Sequence, residues 1–227
     1  MIEDIFNGIT IYQDDNLPKY QIDAFLLADF ADSVTKTSSL TLDLGSGTGA
    51  VGLQYSLKNQ GQIHLIEIQS ALHELEKKSI EKNNLGSRVK AVLSDINDLT
   101  DIYGINSVDV IITNPPYFDT QSFKKHSEDD AFAIARHEIK INLKSLITTA
   151  KKLLKSKGKF YMIHRTDRLA EIMNELIGNG FGIEKMQFVY HDKNSKSELF
   201  LIKAIKQGSI KDIKVEKPIF INEGTNY

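Results

Sequence analysis

DLGSGTG, residues 43–49, joins an apolar, strand-like run to a helix-like run at residues 50–58. Three glycines in such a connection let the backbone approach a ligand closely, and free N–H groups at the start of the helix favour an anionic or polar group. The pattern is not specific, because Gly45, Gly47 and Ala50 also satisfy the G-x-G-x-x-G/A fingerprint of dinucleotide-binding proteins. The segment therefore predicts a nucleotide-binding loop and leaves the nucleotide open.

Strand-like and helix-like runs alternate through most of the chain, which is typical of a parallel sheet covered by helices. A polar stretch, HDKNSKS, separates the last two strand-like runs and predicts an antiparallel pair at the end of the sheet. The sequence thus predicts a mostly parallel, seven-stranded sheet with helices on both faces. The strands are predicted at residues 40–44, 62–67, 89–94, 108–113, 159–164, 185–190 and 198–205, and the clearest helices at 70–84, 138–155 and 167–179.

The composition is that of a globular protein with one domain. The chain has 227 residues, of which 41% are hydrophobic and 26% charged, and it has no cysteine. The absence of cysteine excludes disulfides and thiolate zinc sites and fits a reducing cytoplasm, and we expect no bound metal. The N-terminus lacks the basic and apolar regions of a signal peptide, and no run approaches the ~20 apolar residues of a membrane helix.

The single domain is expected to have three parts: an N-terminal extension (1–38), a catalytic core (39–206) and a C-terminal tail (207–227). Within the extension, residues 23–34 are apolar enough for a helix that covers an edge of the sheet, and residues 7–13 predict a short strand or hairpin.

Charge is distributed unevenly along the chain. Residues 1–150 hold 13 Lys and Arg against 21 Asp and Glu, whereas residues 151–217 hold 15 against 8. A basic final third on an acidic body indicates contact with a polyanion. Lysines that only solvate the surface would give the same count, so both interpretations stay open.

Acidic residues mark the ends of three successive predicted strands. Asp43 precedes the first glycine, Glu67 ends the second strand, and Asp95 follows the third. An acid in the position of Glu67 can accept hydrogen bonds from both ribose hydroxyls of a nucleotide, whichever nucleotide it is. The alternative is that Glu67 and Asp95 cap the helix or loop that follows.

The fourth strand ends in NPPY, residues 114–117. Strand ends in an open α/β sheet line the ligand crevice, so Asn114 should lie beside the glycine loop. Pro115 and Pro116 are two of only four prolines in the chain, and they stiffen the turn by fixing φ. A purely structural Pro-Pro turn is the alternative.

Together these segments resemble the class I S-adenosylmethionine-dependent methyltransferases, which have a Rossmann-like fold. DLGSGTG resembles their E/DxGxGxG motif, and NPPY resembles the (D/N/S)PP(Y/F/W) catalytic loop of enzymes that methylate exocyclic or amide nitrogens. The resemblance implies S-adenosylmethionine as cofactor, with a carboxylate after the third strand accepting from its adenine amino group and the N-terminal extension covering its site. The implied cofactor contacts are Asp43, Gly45, Ser46, Gly47, Gly49, Glu67, Ile68, Asp95, Ile96, Asn114 and Asp23.

The chemistry of an exocyclic nitrogen explains the residue types of NPPY. An adenine N6 is a poor nucleophile because its lone pair is delocalised into the ring. Two acceptors, the Asn114 side-chain oxygen and the Pro115 carbonyl, can bind its N–H groups and direct the lone pair at the methyl donor. Pro116 stiffens this turn, and Tyr117 offers a face on which a flipped-out base can stack.

Three further segments resemble bacterial tRNA adenine-N6 methyltransferases that act on adenine 37, next to the anticodon of a valine tRNA. They are KYQIDAFLLADFA (19–31), ARHE (135–138) and IHRTDRLAEIM (163–173). The resemblance covers nearly the whole chain and implies a tRNA partner, with no obligate protein partner evident. The family's proline is missing from HRTDR, and the C-terminal tail is short. Residues expected to contact RNA, or alternatively to form structural salt bridges, are Arg136, His137, Arg165, Lys193 and Lys196; Lys203 and Lys206 are also candidates.

Other functions share parts of this pattern. A glutamine-N5 methyltransferase of proteins also uses NPPY, but those enzymes carry an extra N-terminal helical domain, and only 42 residues precede Asp43 here. Guanine-N2 methylation of ribosomal RNA is a second alternative. A nicotinamide-dependent oxidoreductase explains the glycines but gives NPPY no role, and a catalytically inactive RNA-binding module is also conceivable.

Overall fold

A nine-stranded sheet forms the centre of the described part of the molecule. A computed structural model describes residues 2–15, 17, 22–116, 143–209 and 212–222. Short 3₁₀ turns precede the fourth and sixth helices. In chain order the described elements are β1 (Ile2–Phe6), β2 (Ile9–Gln13), α1 (Ile22–Phe30), β3 (Leu40–Leu44), α2 (Ala50–Tyr55), β4 (Gln62–Glu67), α3 (Ser70–Lys82), β5 (Val89–Leu93), α4 (Leu99–Tyr103), β6 (Val108–Thr113), α5 (Leu143–Leu153), β7 (Leu154–Arg165), α6 (Leu169–Gly178), β8 (Phe181–Tyr190), β9 (Ser197–Lys206), β10 (Lys214–Val215) and β11 (Ile219–Phe220).

The order of strands confirms the predicted sheet. It runs β10–β8–β9–β7–β6–β3–β4–β5, with β11 also paired to β8. Strands β5, β4, β3, β6 and β7 are parallel, and β9 is antiparallel to both β7 and β8. The seven predicted strands are therefore present, and the two-residue strands β10 and β11 extend the sheet beyond them along β8.

Helices cover both faces of this sheet. Neighbouring residues of a strand point to opposite faces: Ile112 and Tyr161 pack with α1, α2 and α3, whereas Ile111 and Phe160 pack with α5 and α6. The helix after β6 buries one apolar stripe against the sheet. That stripe consists of Leu143, Leu146, Ile147, Ala150 and Leu153.

The N-terminal residues form a hairpin that packs on α3. Its two-residue turn, Asn7 and Gly8, has φ values of 49° and 77°, which match the type I′ turn that Asn-Gly favours. The Thr10 N–H donates to the Asn83 side-chain oxygen over 2.8 Å, and the Tyr12 N–H donates to the Ser79 hydroxyl over 2.9 Å. β2 thus runs antiparallel to α3 and carries its last residue, Gln13, toward the start of that helix.

Lysines of the final third hold the end of α1 against the sheet. The Lys185 ammonium donates to the Phe30 carbonyl over 3.2 Å and lies 4.2 Å from the centre of the Phe30 ring. Asp32, just beyond the helix, forms ion pairs with Lys159 at 3.0 Å and Lys203 at 2.7 Å. Cations are favourable at a helix C-terminus, so part of the basic third has a structural role.

Several predicted boundaries differ from the structure, including the start of β8, which lies at Phe181 and not at residue 185. The helix predicted at 23–34 ends at Phe30, and the helix predicted to reach 155 ends at Leu153, where β7 follows at once. β7 starts five residues before its predicted start because Leu154 already pairs with Val108, ahead of an irregular step in the register. No helix within the described ranges is long and apolar enough to span a bilayer.

Candidate cofactor and catalytic site

The carboxyl ends of the parallel strands bring the predicted polar residues to one edge of the sheet. Asp43 is paired with Ile112, and Glu67 is paired with Leu93. The residues that follow these pairs therefore lie side by side beyond the strand ends. Across the sheet from β5 to β6, the polar residues are Asp95, Glu67, Asp43 and Asn114.

The NPP turn begins next to the glycine loop. The Thr113 hydroxyl, buried at the end of β6, donates to the Leu44 carbonyl at the end of β3 over 2.8 Å. This bond fixes the position of the residues that follow: Asn114 is half-buried and Pro115 is buried. Tyr117 lies outside the described residues, so its stacking role stays a prediction.

All three glycines of the predicted motif have left-handed backbone angles. The φ values of Gly45, Gly47 and Gly49 are 67°, 60° and 79°, a region that other residues rarely adopt. A Cβ added at Gly49 would lie 2.8 Å from Leu65 Cδ1, whereas one added at Gly47 would meet no atom within 4 Å. Gly49 is thus required by packing, and Gly47 faces space that a ligand can occupy.

Protein acceptors already use the N–H groups of this loop. Those of Gly45 and Ser46 donate to the Ile66 carbonyl over 2.9 and 3.0 Å, and that of Gly49 donates to Ser46 over 2.8 Å. The Gly47 N–H donates to Glu67 Oε2 over 2.8 Å. These four residues therefore offer no free N–H group to an anion.

The N-terminus of α2 also has a carboxyl group of the protein beside it. Asp43 Oδ2 accepts a hydrogen bond from the Gly52 N–H, in the first turn of that helix, over 2.8 Å. Because a carboxylate of the chain itself occupies this end of the helix, the site is poorly suited to a pyrophosphate.

Three buried carboxyl groups surround the loop: Asp43, Glu67 and Glu76. Burial and, to a smaller extent, the charge of Glu67 raise the pKa of Asp43 to about 7, against the hydrogen bond from the Gly52 N–H. Burial also raises the pKa of Glu67, against the hydrogen bonds from Gln69 and Gly47. Asp43 and Glu67, when ionised, favour a cationic ligand over an anionic one.

Sequence reasoning missed Glu76. Burial raises its pKa to about 9, and the charges of Glu67 and Asp43 act in the same direction. One signal for it was available: Glu76 shares the buried side of α3 with Leu75, Ser79 and Ile80.

Glu67 and Asp95 both cap the turns that follow them, as the alternative interpretation expected. Glu67 Oε1 accepts from the Gln69 N–H, and Asp95 Oδ1 accepts from the Asn97 N–H, each over 2.8 Å. Ile68, next to Glu67, is 44% exposed and offers an apolar surface at the same edge, whereas Ile96 is buried.

Asp23 lies at the start of α1 and is buried. Its Oδ1 accepts a hydrogen bond from the Ala24 N–H over 2.9 Å, which is a capping interaction. Its contact with a cofactor stays a prediction.

His164 and Arg165 end β7 at the same edge of the sheet. His164 is buried, its Nδ1 accepts from the Arg165 N–H over 2.8 Å, and burial together with the charge of Arg168 lowers its pKa to about 4. The Arg165 side chain is half exposed and forms an ion pair with Asp167 at 2.6 Å. Arg136 and His137 lie outside the described residues.

The candidate RNA-binding lysines separate into two groups. Lys193 and Lys196 are exposed in the turn between β8 and β9, and β8 is parallel to β7, so this turn lies at the edge that carries Asn114. Lys203 is only 6% exposed and paired with Asp32, and Lys206 donates to the Leu154 carbonyl at the opposite edge. The expectation that Lys203 and Lys206 flank the crevice is wrong, since β9 runs away from it.

The family model of the methyltransferase small domain matches residues 22–189, which include both the glycine loop and the NPP turn. The chain belongs to this methyltransferase family. The methyltransferase is 25% identical over 219 residues to a tRNA1(Val) (adenine(37)-N6)-methyltransferase of Dyadobacter fermentans, covering 96% of this chain and 88% of the relative. A relative of the same name from a Flavobacteriaceae bacterium is 27% identical over 220 residues, with 96% and 89% covered.

Solved structures show the same fold. A predicted O-methyltransferase from Agrobacterium tumefaciens matches with a TM-score of 0.66 at 21% identity, covering 90% of this methyltransferase and 89% of that chain. Geranyl diphosphate C-methyltransferase from Streptomyces coelicolor, in complex with S-adenosyl-L-homocysteine, matches with a TM-score of 0.58 at 10% identity, covering 81% and 75%.

S-adenosylmethionine is the cofactor of this methyltransferase. The residues present fit it, since its sulfonium and ammonium groups are positive and the buried carboxyl groups of Asp43 and Glu67 lie beside the loop. The open side of Gly47 leaves room for it, and the exposed side chain of Ile68 provides an apolar surface for its adenine.

Proposed function

We propose that this methyltransferase transfers a methyl group to N6 of adenine 37 in a valine tRNA. The names of the relatives support this substrate. The observation that carries the proposal is the position of Asn114 and Pro115, held beside the glycine loop by the hydrogen bond between Thr113 and Leu44. A residue pair that can accept from both N–H groups of an amine suits an exocyclic nitrogen.

S-adenosylmethionine, when bound, supplies an electrophilic methyl group. The Asn114 side-chain oxygen and the Pro115 carbonyl accept hydrogen bonds from the two N–H groups of the amine and set the direction of its lone pair. The prolines fix the carbonyl direction before the base arrives, so little reorganisation is needed. The nitrogen directed by Asn114 and Pro115 would receive that methyl group and release one proton to solvent.

No general base is required, because the amine attacks while it is neutral. His164 is poorly placed for that role, since it is buried and its Nδ1 is used by the Arg165 N–H. We assign His164 to the structure of the β7 end and Arg165 to RNA positioning. The exposed ion pair of Arg165 with Asp167 is weak enough to be exchanged for a phosphate contact.

RNA binding would use the basic residues at the ligand edge. Lys193 and Lys196 in the β8–β9 turn are suited to phosphate contacts, together with Arg136 and His137 of the segment before α5. Tyr117 would stack on the extruded adenine, and the N-terminal extension, with Asp23, would cover the cofactor. A tRNA substrate is consistent with a cytoplasmic location.

The test is methylation of two matched transcripts of a valine tRNA, one with adenine and one with guanine at position 37. Purified protein and S-adenosylmethionine are incubated with each transcript, and nucleosides are analysed by mass spectrometry. We expect N6-methyladenosine, about one per molecule, only in the adenine transcript. N6-methyladenosine in neither transcript, or in both, would contradict the proposal.

A further inference from the structure

Glu76 lies under the glycine loop and is one of the buried carboxyl groups around it. Its side chain has no exposed surface, and its Oε1 accepts a hydrogen bond from the Ser46 hydroxyl. A Cβ at Gly49 would lie 3.4 Å from Glu76 Cγ, so the stem of the glutamate packs directly against the loop backbone. Helix α3 thereby contacts the loop through one acidic side chain.

The surroundings of Glu76 are acidic on the strand side. Asp43 and Glu67 face it from the ends of β3 and β4, and their charges disfavour a second or third negative charge there. On its own helix, His73 Nδ1 lies 3.6 Å from Glu76 Oε2. Strand β5, also packed on α3, carries Lys90, which is exposed.

β2 also packs on α3, and the last two residues of this strand are Tyr12 and Gln13. Tyr12 donates its N–H to Ser79, and Gln13 follows it with a buried side-chain oxygen.

Unpartnered polar atoms are concentrated in this region. Among the described residues, five buried side-chain atoms lack a hydrogen-bond partner in the protein, and four belong to the glycine loop or to the first turns of α3 beneath it. A protonated Glu76 is a donor in a place where acceptors remain, whereas an ionised Glu76 would add one more acceptor. The five atoms are Gln13 Oε1, Asp43 Oδ1, Thr48 Oγ1, His73 Nδ1 and Glu76 Oε2.

We propose that Glu76, in its uncharged form, is a positioning residue that holds the glycine loop in its cofactor-binding shape through Ser46. The inference rests on the assignment of this loop to S-adenosylmethionine. Uncharged Glu76 keeps its Oε1 for the Ser46 hydroxyl and packs against Gly49 without adding a third negative charge beside Asp43 and Glu67.

Binding of S-adenosylhomocysteine, measured by calorimetry at about pH 7.5, is the first test. Glu76→Ala and Ser46→Ala should each weaken binding by about tenfold or more, because the loop loses its contact with α3. Glu76→Gln keeps an acceptor for Ser46 without a charge, and its affinity should stay within about threefold of wild type. Glu81→Ala, an exposed glutamate of the same helix, is the matched control and should bind normally.

Thermal unfolding between about pH 5 and pH 9 is the second test. The pKa of Glu76 is raised in the folded state from 4.5 to about 9, so the folded protein holds a proton that the unfolded chain releases. The stability that Glu76 contributes is complete below about pH 4.5 and is lost as the pH rises toward 9. Glu76→Gln cannot titrate at this position. The melting temperature of this variant, relative to that of wild type, should therefore rise steadily from about pH 5 to about pH 9.

The outcomes separate this inference from the function itself. Normal binding by folded Glu76→Ala and Ser46→Ala, or a pH-independent difference between Glu76→Gln and wild type, would overturn it while the cofactor assignment stands. If Glu76→Ala does not fold, the affinity of Ser46→Ala and the pH-dependent stability of Glu76→Gln still test the inference. A wild-type protein that binds no S-adenosylhomocysteine would overturn both.

Discussion

Asn114 is the residue whose change should separate chemistry from binding. It lies after β6 beside the glycine loop, where its side-chain oxygen can accept from the reacting amine. Asn114→Ala should lower turnover on tRNA by on the order of 10²–10³, the usual effect of losing one positioned electrostatic partner. The affinity for S-adenosylhomocysteine should stay nearly unchanged, and single-turnover methylation together with calorimetry measures both.

A matched variant tests whether the oxygen itself is responsible. Asn114→Asp keeps an acceptor in the same place, so it should retain more activity than Asn114→Ala. Turnover of Asn114→Ala at the wild-type rate would contradict the mechanism proposed for this turn.

Asp43 should make cofactor binding depend on pH near neutrality. Burial and the charge of Glu67 raise its pKa to about 7, so it gains its charge as the pH rises through that value. A positive cofactor should therefore bind about tenfold more tightly at about pH 8 than at about pH 6. Asp43→Asn can still accept from the Gly52 N–H, but it cannot ionise, and it should lose this gain. Calorimetry at the two pH values measures the affinities. An equal gain in the variant would show that Asp43 does not cause the pH dependence.

The glycine loop, taken as an element, should discriminate between nucleotides. Its N–H groups at Gly45, Ser46, Gly47 and Gly49 are used within the protein, and the end of α2 is occupied by Asp43. A pyrophosphate would find no donor at these four residues and would lie close to carboxylates. We expect calorimetry to show binding of S-adenosylmethionine and S-adenosylhomocysteine but not of NAD. Binding of NAD alone would contradict the assignment.

The end of α1 should depend on Asp32 for its attachment to the sheet. The lysines around it hold its pKa below the usual range, so its contribution is present above about pH 4 and is lost as the pH falls. Asp32→Asn leaves Lys203 nearly buried without this partner and should lower the free energy of unfolding by about 1–2 kcal/mol, discounted for partial exposure. Urea unfolding measures the change.

Two further variants test the cause of that loss. Asp101→Asn, at an exposed site on α4, should be neutral. Adding Lys203→Met to Asp32→Asn should recover part of the stability, because it removes a nearly buried charge whose remaining counterion is the half-exposed Glu184. A double variant as unstable as Asp32→Asn would contradict this account.

Apolar runs with sharp ends could be predicted from the sequence, whereas elements without a local pattern could not. Leu40–Leu44, Gln62–Glu67 and Val108–Thr113 were predicted to the residue, because each is an apolar run that stops at a glycine, a proline or a polar turn. Leu99–Tyr103 has five residues, too few to show a helical period. The two-residue strands β10 and β11 exist through their pairing with β8, which no local pattern reveals.

At the scale of the whole molecule, the site was predictable wherever the topology of the sheet determines it. Parallel strands deliver their last residues to one edge, so Asp43, Glu67 and Asn114 could be placed together from sequence. Glu76 could not, because its burial depends on how α3 packs beneath the glycine loop. Lys203 also could not, since its partner Asp32 is distant in the chain.

The basic final third is likewise distributed by the fold. Lys155 pairs with Asp109, and Lys159 and Lys203 pair with Asp32, so these charges are compensated inside the protein. The same chain segment also carries exposed lysines at both edges of the sheet. Only those at the ligand edge can grip a tRNA whose adenine enters the crevice, which separates a binding role from simple solvation.

Two matched pairs of lysines test this division. Lys193 and Lys196 lie in the β8–β9 turn at the ligand edge, whereas Lys151 and Lys152 end α5 at the opposite edge, and all four are exposed. Changing the first pair to alanine should weaken tRNA binding and lower the log–log salt slope by about 0.9 for each lost duplex phosphate contact, or about 0.7 for each single-strand one. Changing the second pair to alanine removes the same charge and should change the slope little. The affinity for the cofactor should stay constant in both double variants. Filter binding across a salt series measures the slopes, and equal effects of the two pairs would reduce Lys193 and Lys196 to a general contribution of charge.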